Sequence, residues 1–193
     1  MTDECYHRFV YEGSPYSIAS MPGAKDTVVI AGSLSKTYAM TGWRIGFVLA
    51  PAPVAAGIGK LQSHSTSNPT SIAQKAALEA LRGPQDSVSA MLAEYAKRRE
   101  YILQRLRAIP GVKTQTPAGA FYAYPNIGVT FNKAAGIKSP MDFAERLLAE
   151  EVVAVVPGEA FGTDAHVRIY YAPAMKHIVR GLDRVDQFVR RDS

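Results

Sequence analysis

Residues 28–51, VVIAGSLSKTYAMTGWRIGFVLAP, constrain this chain more than any other stretch. An apolar run, residues 28–31, ends at Gly32 and reads as a buried strand. A polar segment follows, Ser33-Leu34-Ser35-Lys36-Thr37, with three hydroxyls and one amine. Gly42, Trp43 and Arg44 come next, and a second apolar run, residues 45–50, ends at Pro51. A lysine between two buried strands is costly to desolvate unless its charge is paired or its amine is converted. Desolvation lowers an amine's pKa and makes it nucleophilic towards carbonyls. Ser33 lies three residues before Lys36, and Arg44 lies eight after it. Hydroxyls and a guanidinium around one amine suit a phosphate whose partner group is an aldehyde. Ser-x-Ser-Lys alone is a short pattern, and a lysine on a surface loop is the plain alternative.

A phosphate joined to an aldehyde describes pyridoxal phosphate. The stretch closely resembles the lysine segment of the fold-type-I aminotransferases of class I/II, the aspartate aminotransferase group. The resemblance implies that Lys36 is the catalytic, imine-forming base and that Ser33, Ser35 and Arg44 hold the cofactor's phosphate. Asp3-Glu4-Cys5-Tyr6 resembles the family's Asp-Glu-x-Tyr segment, with Asp3 thirty-three residues before Lys36. That match implies Asp3 against the pyridine nitrogen and Tyr6 against the ring's phenolic oxygen. A carboxylate at the nitrogen keeps the ring protonated and makes it a stronger electron sink. Pro157-Gly158, Phe161-Gly162 and Arg168-Ile169 together resemble a family pattern whose arginine grips the substrate's α-carboxylate. A planar, permanently charged guanidinium suits that task through a bidentate pair. Arg168 as an ordinary surface residue of a strand is the alternative. Gly119-Ala120-Phe121-Tyr122 resembles the family's small-domain strand, and its aromatics read as structural. Residues 62–77, QSHSTSNPTSIAQKAA, look most like the bacterial aspartate and prephenate branch.

The implied reaction moves an amino group between an amino acid and a 2-oxo acid. Residues 66–71, which in the family lie near the partner subunit's active site, imply a homodimer. A helix-capping loop explains those residues equally well. The resemblance covers all 193 residues but maps onto the second half of a typical member. The N-terminal arm, the glycine-containing phosphate loop, the ring-stacking aromatic and an asparagine at the ring oxygen have no counterpart here. Only Met1 and Thr2 precede Asp3, where the family has a buried strand. The expected fold class is therefore α/β. It comprises a remnant of the fold-type-I large domain (parallel or mixed sheet with helices) over 1–84 and a small α/β domain over 85–193. Truncation is the simplest reading, and it leaves the activity of this chain open. A non-catalytic remnant that folds or dimerises without binding cofactor productively is the alternative. A two-stranded parallel remnant would leave unpaired edges that invite association. A Ser–Lys hydrolase using Ser33 or Ser35 needs an oxyanion site that no motif supplies.

Composition narrows the partners. Hydrophobic residues make up 47% and charged residues 20%, which fits an ordinary globular chain. The net charge of +5 is scattered rather than gathered into an aromatic-interleaved patch, so nucleic acid is not an expected partner. Cys5 is the only cysteine, which excludes an internal disulfide and fits a reducing, cytoplasmic location. No apolar run reaches membrane-spanning length, and no signal-peptide pattern opens the chain. His7, His64, His166 and His177 lack metal-ligand spacing.

The remaining pattern predicts elements. Residues 14–26 read as a loop turning at Pro22-Gly23. Residues 52–65 and 71–82 read as helices, with Val54, Ile58 and Leu61 on the first and Ile72, Ala76, Leu78 and Leu81 on the second. Gly83-Pro84 ends the second, and Ser87 is expected to cap a long helix running to Pro110-Gly111. The domain boundary is placed within or just before that helix. A hairpin-like pair is expected at 112–116 and 121–124, and a loop at 127–138. Ser139-Pro140-Met141-Asp142 is a helix start, with Phe143, Leu147 and Leu148 facing inward. Residues 152–156 read as a buried strand, and 167–172 alternate. The last helix spans 176–191.

Overall fold

The computed structural model describes residues 1–131 and 136–191; part of the expected 127–138 loop lies outside them. The chain forms two compact units, Met1–Leu92 and Ala93–Ser193.

The first unit is built on a three-stranded sheet in the order β1 (Thr2–Asp3), β2 (Ile30–Ser33), β3 (Gly46–Leu49). β1 runs parallel to β2, pairing Thr2 with Ile30 and Asp3 with Ala31. Asp3 thus lies on the sheet. β3 runs antiparallel to β2, so the sheet is mixed and three-stranded, not a two-stranded parallel remnant. The link from β2 to β3 explains this. Its only α-helical piece, α1 (Leu34–Thr37), is one turn. At about 6 Å it is too short to carry the chain back along β2 for a parallel return.

Gly46 is required at the start of β3, because a Cβ there would lie 2.7 Å from the Gly32 carbonyl oxygen. The core beneath the sheet joins Leu34, Met40 and Ile45 to Ala73 and Ala77. Those alanines belong to α3 (Ser71–Arg82), which follows α2 (Ala52–Ser65). Thr70 caps α3 by accepting the Ala73 N–H at 3.3 Å. The helix bounds agree with the pattern, but the buried faces differ. On α3 the small alanines pack inward, while Ile72 is 71% exposed and Leu78 and Leu81 also face out. No residue of α2 is buried, and Leu61 is 75% exposed. β3 is exposed along its length rather than buried, with Phe47, Val48 and Leu49 open. Leaving out a large apolar side chain forgoes about 1.5–3 kcal/mol each. The expectation of two buried strands therefore fails for β3, which nothing covers among the described residues.

α4 (Asp86–Arg107) leads from the first unit into the second. It opens before Ser87, so Ser87 lies inside the first turn rather than at the cap. Just ahead of it, the Gln85 side-chain amide donates to the carbonyls of Ala80 and Gly83 and closes the end of α3.

In the second unit the sheet order is β4 (Tyr122–Ala123), β6 (Val167–Tyr170), β5 (Val156–Pro157), all antiparallel neighbours. The expected hairpin of 112–116 with 121–124 reduces to one bridge, Lys113 with Asn126. Pro117 offers no donor, and Ala120 takes a left-handed φ of 57°, so the chain breaks there and β4 pairs with β6 instead. α5 (Pro140–Glu151) starts as expected, with Ser139 accepting the Asp142 N–H at 3.1 Å. Phe143, Ala144 and Leu147 are buried, while Leu148 faces solvent. Residues 152–156 are not a buried strand. Val152 caps α5 in a left-handed conformation and is 74% exposed, and the Val152 and Val153 N–H groups bond back to Leu148 and Leu147. Only the last residue of the run joins β5. α6 (Met175–Arg191) buries Ile178, Leu182, Val185, Phe188 and Val189. Phe188 meets Phe143 of α5 edge-on at 5.4 Å.

Candidate active site

The parallel pairing of β1 and β2 puts the C-terminal ends of both strands on one edge of the first sheet, where ligands gather in α/β sheets. Asp3 pairs with Ala31, and Ser33 lies two residues beyond Ala31, so Asp3 and Ser33 share a face. One oxygen of the Asp3 carboxylate accepts the Cys5 N–H at 2.9 Å. That bond bends the chain into a turn, continued by the His7 N–H donating to the Glu4 carbonyl, and Tyr6 sits on it. Glu4 ties the turn to the following loop by accepting the Ser17 hydroxyl at 2.8 Å. Tyr6 is partly buried and meets Phe9 edge-on at 6.3 Å.

Lys36 lies on α1, which begins where β2 ends. Ser33 caps that turn by accepting the Ser35 N–H at 3.0 Å. Leu34 and Thr37 on either side of Ser35-Lys36 are buried, and Lys36 itself is partly buried. The core thus grips the turn by its flanks. Ala39, with φ 53°, and Arg44, with φ 54°, adopt left-handed backbone that costs a non-glycine residue about 1–3 kcal/mol. Strain held at both ends of one short loop marks it as a place where position matters more than stability.

The loop is cross-tied. The Thr41 hydroxyl donates to the Ser35 carbonyl at 3.0 Å, and Arg44 Nη1 donates to the Thr41 carbonyl at 2.9 Å. Arg44 is in this way linked to Ser35 through one residue. The Tyr38 hydroxyl donates to Gln85 Oε1 at 3.1 Å, tying the residue two after Lys36 to the head of α4. Sequence reasoning missed Thr41, Tyr38 and Gln85, since no motif marks them; only the contact across forty-seven residues reveals the last pair. Among the described residues, neither the Ser33 nor the Ser35 hydroxyl donates a hydrogen bond to protein, and the second Asp3 oxygen accepts none.

Arg44 also lines a cavity of about 710 Å³ with Ala39, Gly42, Gln62, Asn68 and Thr70. The expected partner-facing segment 66–71 therefore shares a hollow with Arg44. Lys36, Asp3, Tyr6, Ser33 and Ser35 are not among that cavity's lining.

Arg168 belongs to the second unit, on β6. Val167 and Tyr171 turn into the core, which leaves Arg168 on the opposite face. Its Cζ lies 4.7 Å from the Tyr122 ring centre and 4.4 Å from that of Phe161. Among the described residues its side chain makes no hydrogen bond and no ion pair to protein. A partly buried guanidinium with no protein carboxylate has N–H groups it can donate to an external one.

The described residues contain no group of three or more His, Cys, Asp or Glu placed to hold a metal, and no helix long and apolar enough to cross a membrane.

Residues 1–184 match the family described as aminotransferase class I and II. The chain belongs to that family. It is 41% identical over 192 residues to the aspartate aminotransferase of Bacillus sp. (strain YM-2), covering 98% of this chain and 49% of that protein. It is 40% identical over 194 residues to the aspartate/prephenate aminotransferase of Cereibacter sphaeroides, covering 97% and 48%. Among solved structures, the aromatic aminotransferase of Pyrococcus horikoshii OT3 superposes with a TM-score of 0.90 at 36% identity, covering 98% of this chain and 50% of the other. The aspartate aminotransferase of Rhizobium meliloti gives 0.89 at 35%, covering 98% and 49%. The α/β fold is thus that of the aminotransferases, and the chain spans about half the length of the relatives it matches.

Proposed function

We propose that this chain carries the amine-bearing and carboxylate-binding half of a pyridoxal-phosphate-dependent aminotransferase, acting between an amino acid and a 2-oxo acid of the aspartate/prephenate class. The observation that carries this reading is the gathering of Asp3, Ser33, Ser35 and Lys36 at the C-terminal edge of β1 and β2, with Arg44 cross-tied to Ser35. The donor set suits the cofactor. Two hydroxyls and a guanidinium face a phosphate's needs, and a carboxylate with one oxygen open suits a protonated ring nitrogen. When bound, the cofactor supplies an aldehyde that condenses with amines and a ring that withdraws electrons.

The chain's own residues do the rest. Ser33, Ser35 and Arg44 would anchor the phosphate; Asp3 would hold the ring nitrogen's proton, and Tyr6 would donate to the phenolic oxygen. Lys36 moves a proton to and from the substrate Cα through its amine. Arg168 holds the substrate carboxylate by a bidentate pair. Homodimerisation and a cytoplasmic location belong to the same reading, supported by the shared hollow of Arg44 and the 66–70 segment and by the lone Cys5.

Titration with pyridoxal phosphate and with pyridoxal, followed by visible absorbance, tests it. Charge-assisted contacts to the phosphate are worth about 1.5–3 kcal/mol each, so the phosphate form is expected to bind at least about tenfold more tightly. Equal binding of the two contradicts the anchoring assigned to Ser33, Ser35 and Arg44. A second reading, a non-catalytic piece that folds and associates, has its own observation in the open apolar faces of β3, α2 and α3. Strong self-association with no absorbance change favours it.

A further inference from the structure

We propose that Phe161 and Tyr122 are positioning residues, a pair of rings that holds the Arg168 guanidinium ready for a carboxylate. The inference rests on Arg168 as the carboxylate-binding group. Tyr122 comes from β4 on one side of β6, and Phe161 from the turn Gly158–Phe161 that follows β5 on the other side. Tyr122 is registered with Tyr170, two residues past Arg168, so its ring reaches Arg168 diagonally. The ring centres lie 4.7 Å and 4.4 Å from Cζ, within the range where a guanidinium is attracted to an aromatic face.

Aromatic faces hold a cation without using its N–H groups. Both contacts therefore orient the head group and leave its donors available to a planar carboxylate. A hydrogen bond from a neighbouring carbonyl would have fixed the same group at the expense of those donors.

Phe161 is itself braced. Tyr124 meets it edge-on at 6.0 Å and 84°. Tyr124 is stacked on His166 at 4.9 Å and 11°, and its hydroxyl is 2.6 Å from the Thr163 hydroxyl. Among the described residues, the buried Nδ1 of His166 has no hydrogen-bond partner, so that ring serves through its face. Two rings thus meet the cation directly, and two more stand behind one of them.

The test uses the full chain and maleate, an unreactive dicarboxylate, with the Arg168 Nε–Hε resonance as readout. F161L and Y122L are each expected to weaken maleate binding about 3- to 30-fold. Each is also expected to move the Hε signal downfield as ring shielding is lost. F161Y and Y122F keep the ring and are expected to bind as the wild type does, which separates the ring face from general damage to the fold. R168Q is expected to abolish binding. Leucine variants that bind like the wild type with an unmoved resonance overturn the clamp and leave the role of Arg168 intact. Ring-keeping variants that lose as much as the leucine ones also overturn it. No maleate binding by the wild type, or undiminished binding by R168Q, overturns the carboxylate-binding role itself.

Discussion

At the scale of single residues, the loop 39–44 trades stability for position. Ala39 and Arg44 both hold left-handed backbone that glycine adopts freely. Ala39→Gly is expected to raise unfolding stability by about 1 kcal/mol, since Ala39 is exposed and its side chain makes no core contact. Chemical denaturation measures this. Arg44→Gly relieves the same strain but removes the guanidinium. It is expected to leave the fold intact while erasing the preference for pyridoxal phosphate over pyridoxal. A variant that keeps the preference would show that Arg44 does not face the phosphate. The roles proposed for Asp3, Tyr6, Ser33, Ser35, Lys36, Arg44 and Arg168 come from short motifs, which a local pattern can carry. Phe161 and Tyr122 were not legible as partners of Arg168. Their meaning depends on strand order, which a local pattern does not encode.

At the scale of elements, helix bounds followed from caps and breakers. Ser139-Pro140 and Gly83-Pro84 act through their own neighbours, so the sequence shows them directly. Burial did not follow, because it depends on what lies opposite. α3 buries alanines and exposes leucines, and β3 buries nothing. Gly46→Ala is expected to cost about 1–3 kcal/mol, because backbone rather than a movable side chain meets the new methyl group. Loss of less than about 0.5 kcal/mol would show that β2 and β3 separate easily.

α5 carries a pH dependence. The Lys138 N–H and the Ser139 hydroxyl hold the Asp142 carboxyl below the usual carboxylate range, and Arg146 then Arg191 do the same for Glu150. A depressed folded pKa stabilises above the unfolded pKa and is lost as pH falls through the folded value. The melting temperature of the wild type is therefore expected to fall more steeply than that of D142N/E150Q as the pH is lowered below about 4. Parallel curves contradict this assignment.

At the scale of the whole molecule, the open apolar surface of the first unit dominates. Phe47, Leu49, Leu61 and Ile72 are exposed on its elements, and surface of that kind drives association. Sedimentation is expected to show concentration-dependent self-association, weakened by L61K/I72K with unchanged circular dichroism. A monomer at all concentrations would contradict it. The chain divides between Leu92 and Ala93, inside α4, and a continuous helix carries no sequence mark of where its packing partners change.

The central claim is that one amine, on the turn after β2, is the group that meets the cofactor's aldehyde. Incubation with pyridoxal phosphate, reduction with borohydride and peptide mapping test it directly. The account predicts a pyridoxyl group on Lys36 in preference to Lys25, Lys60 and Lys75. Labelling spread evenly over the lysines, or absent from Lys36, would contradict it.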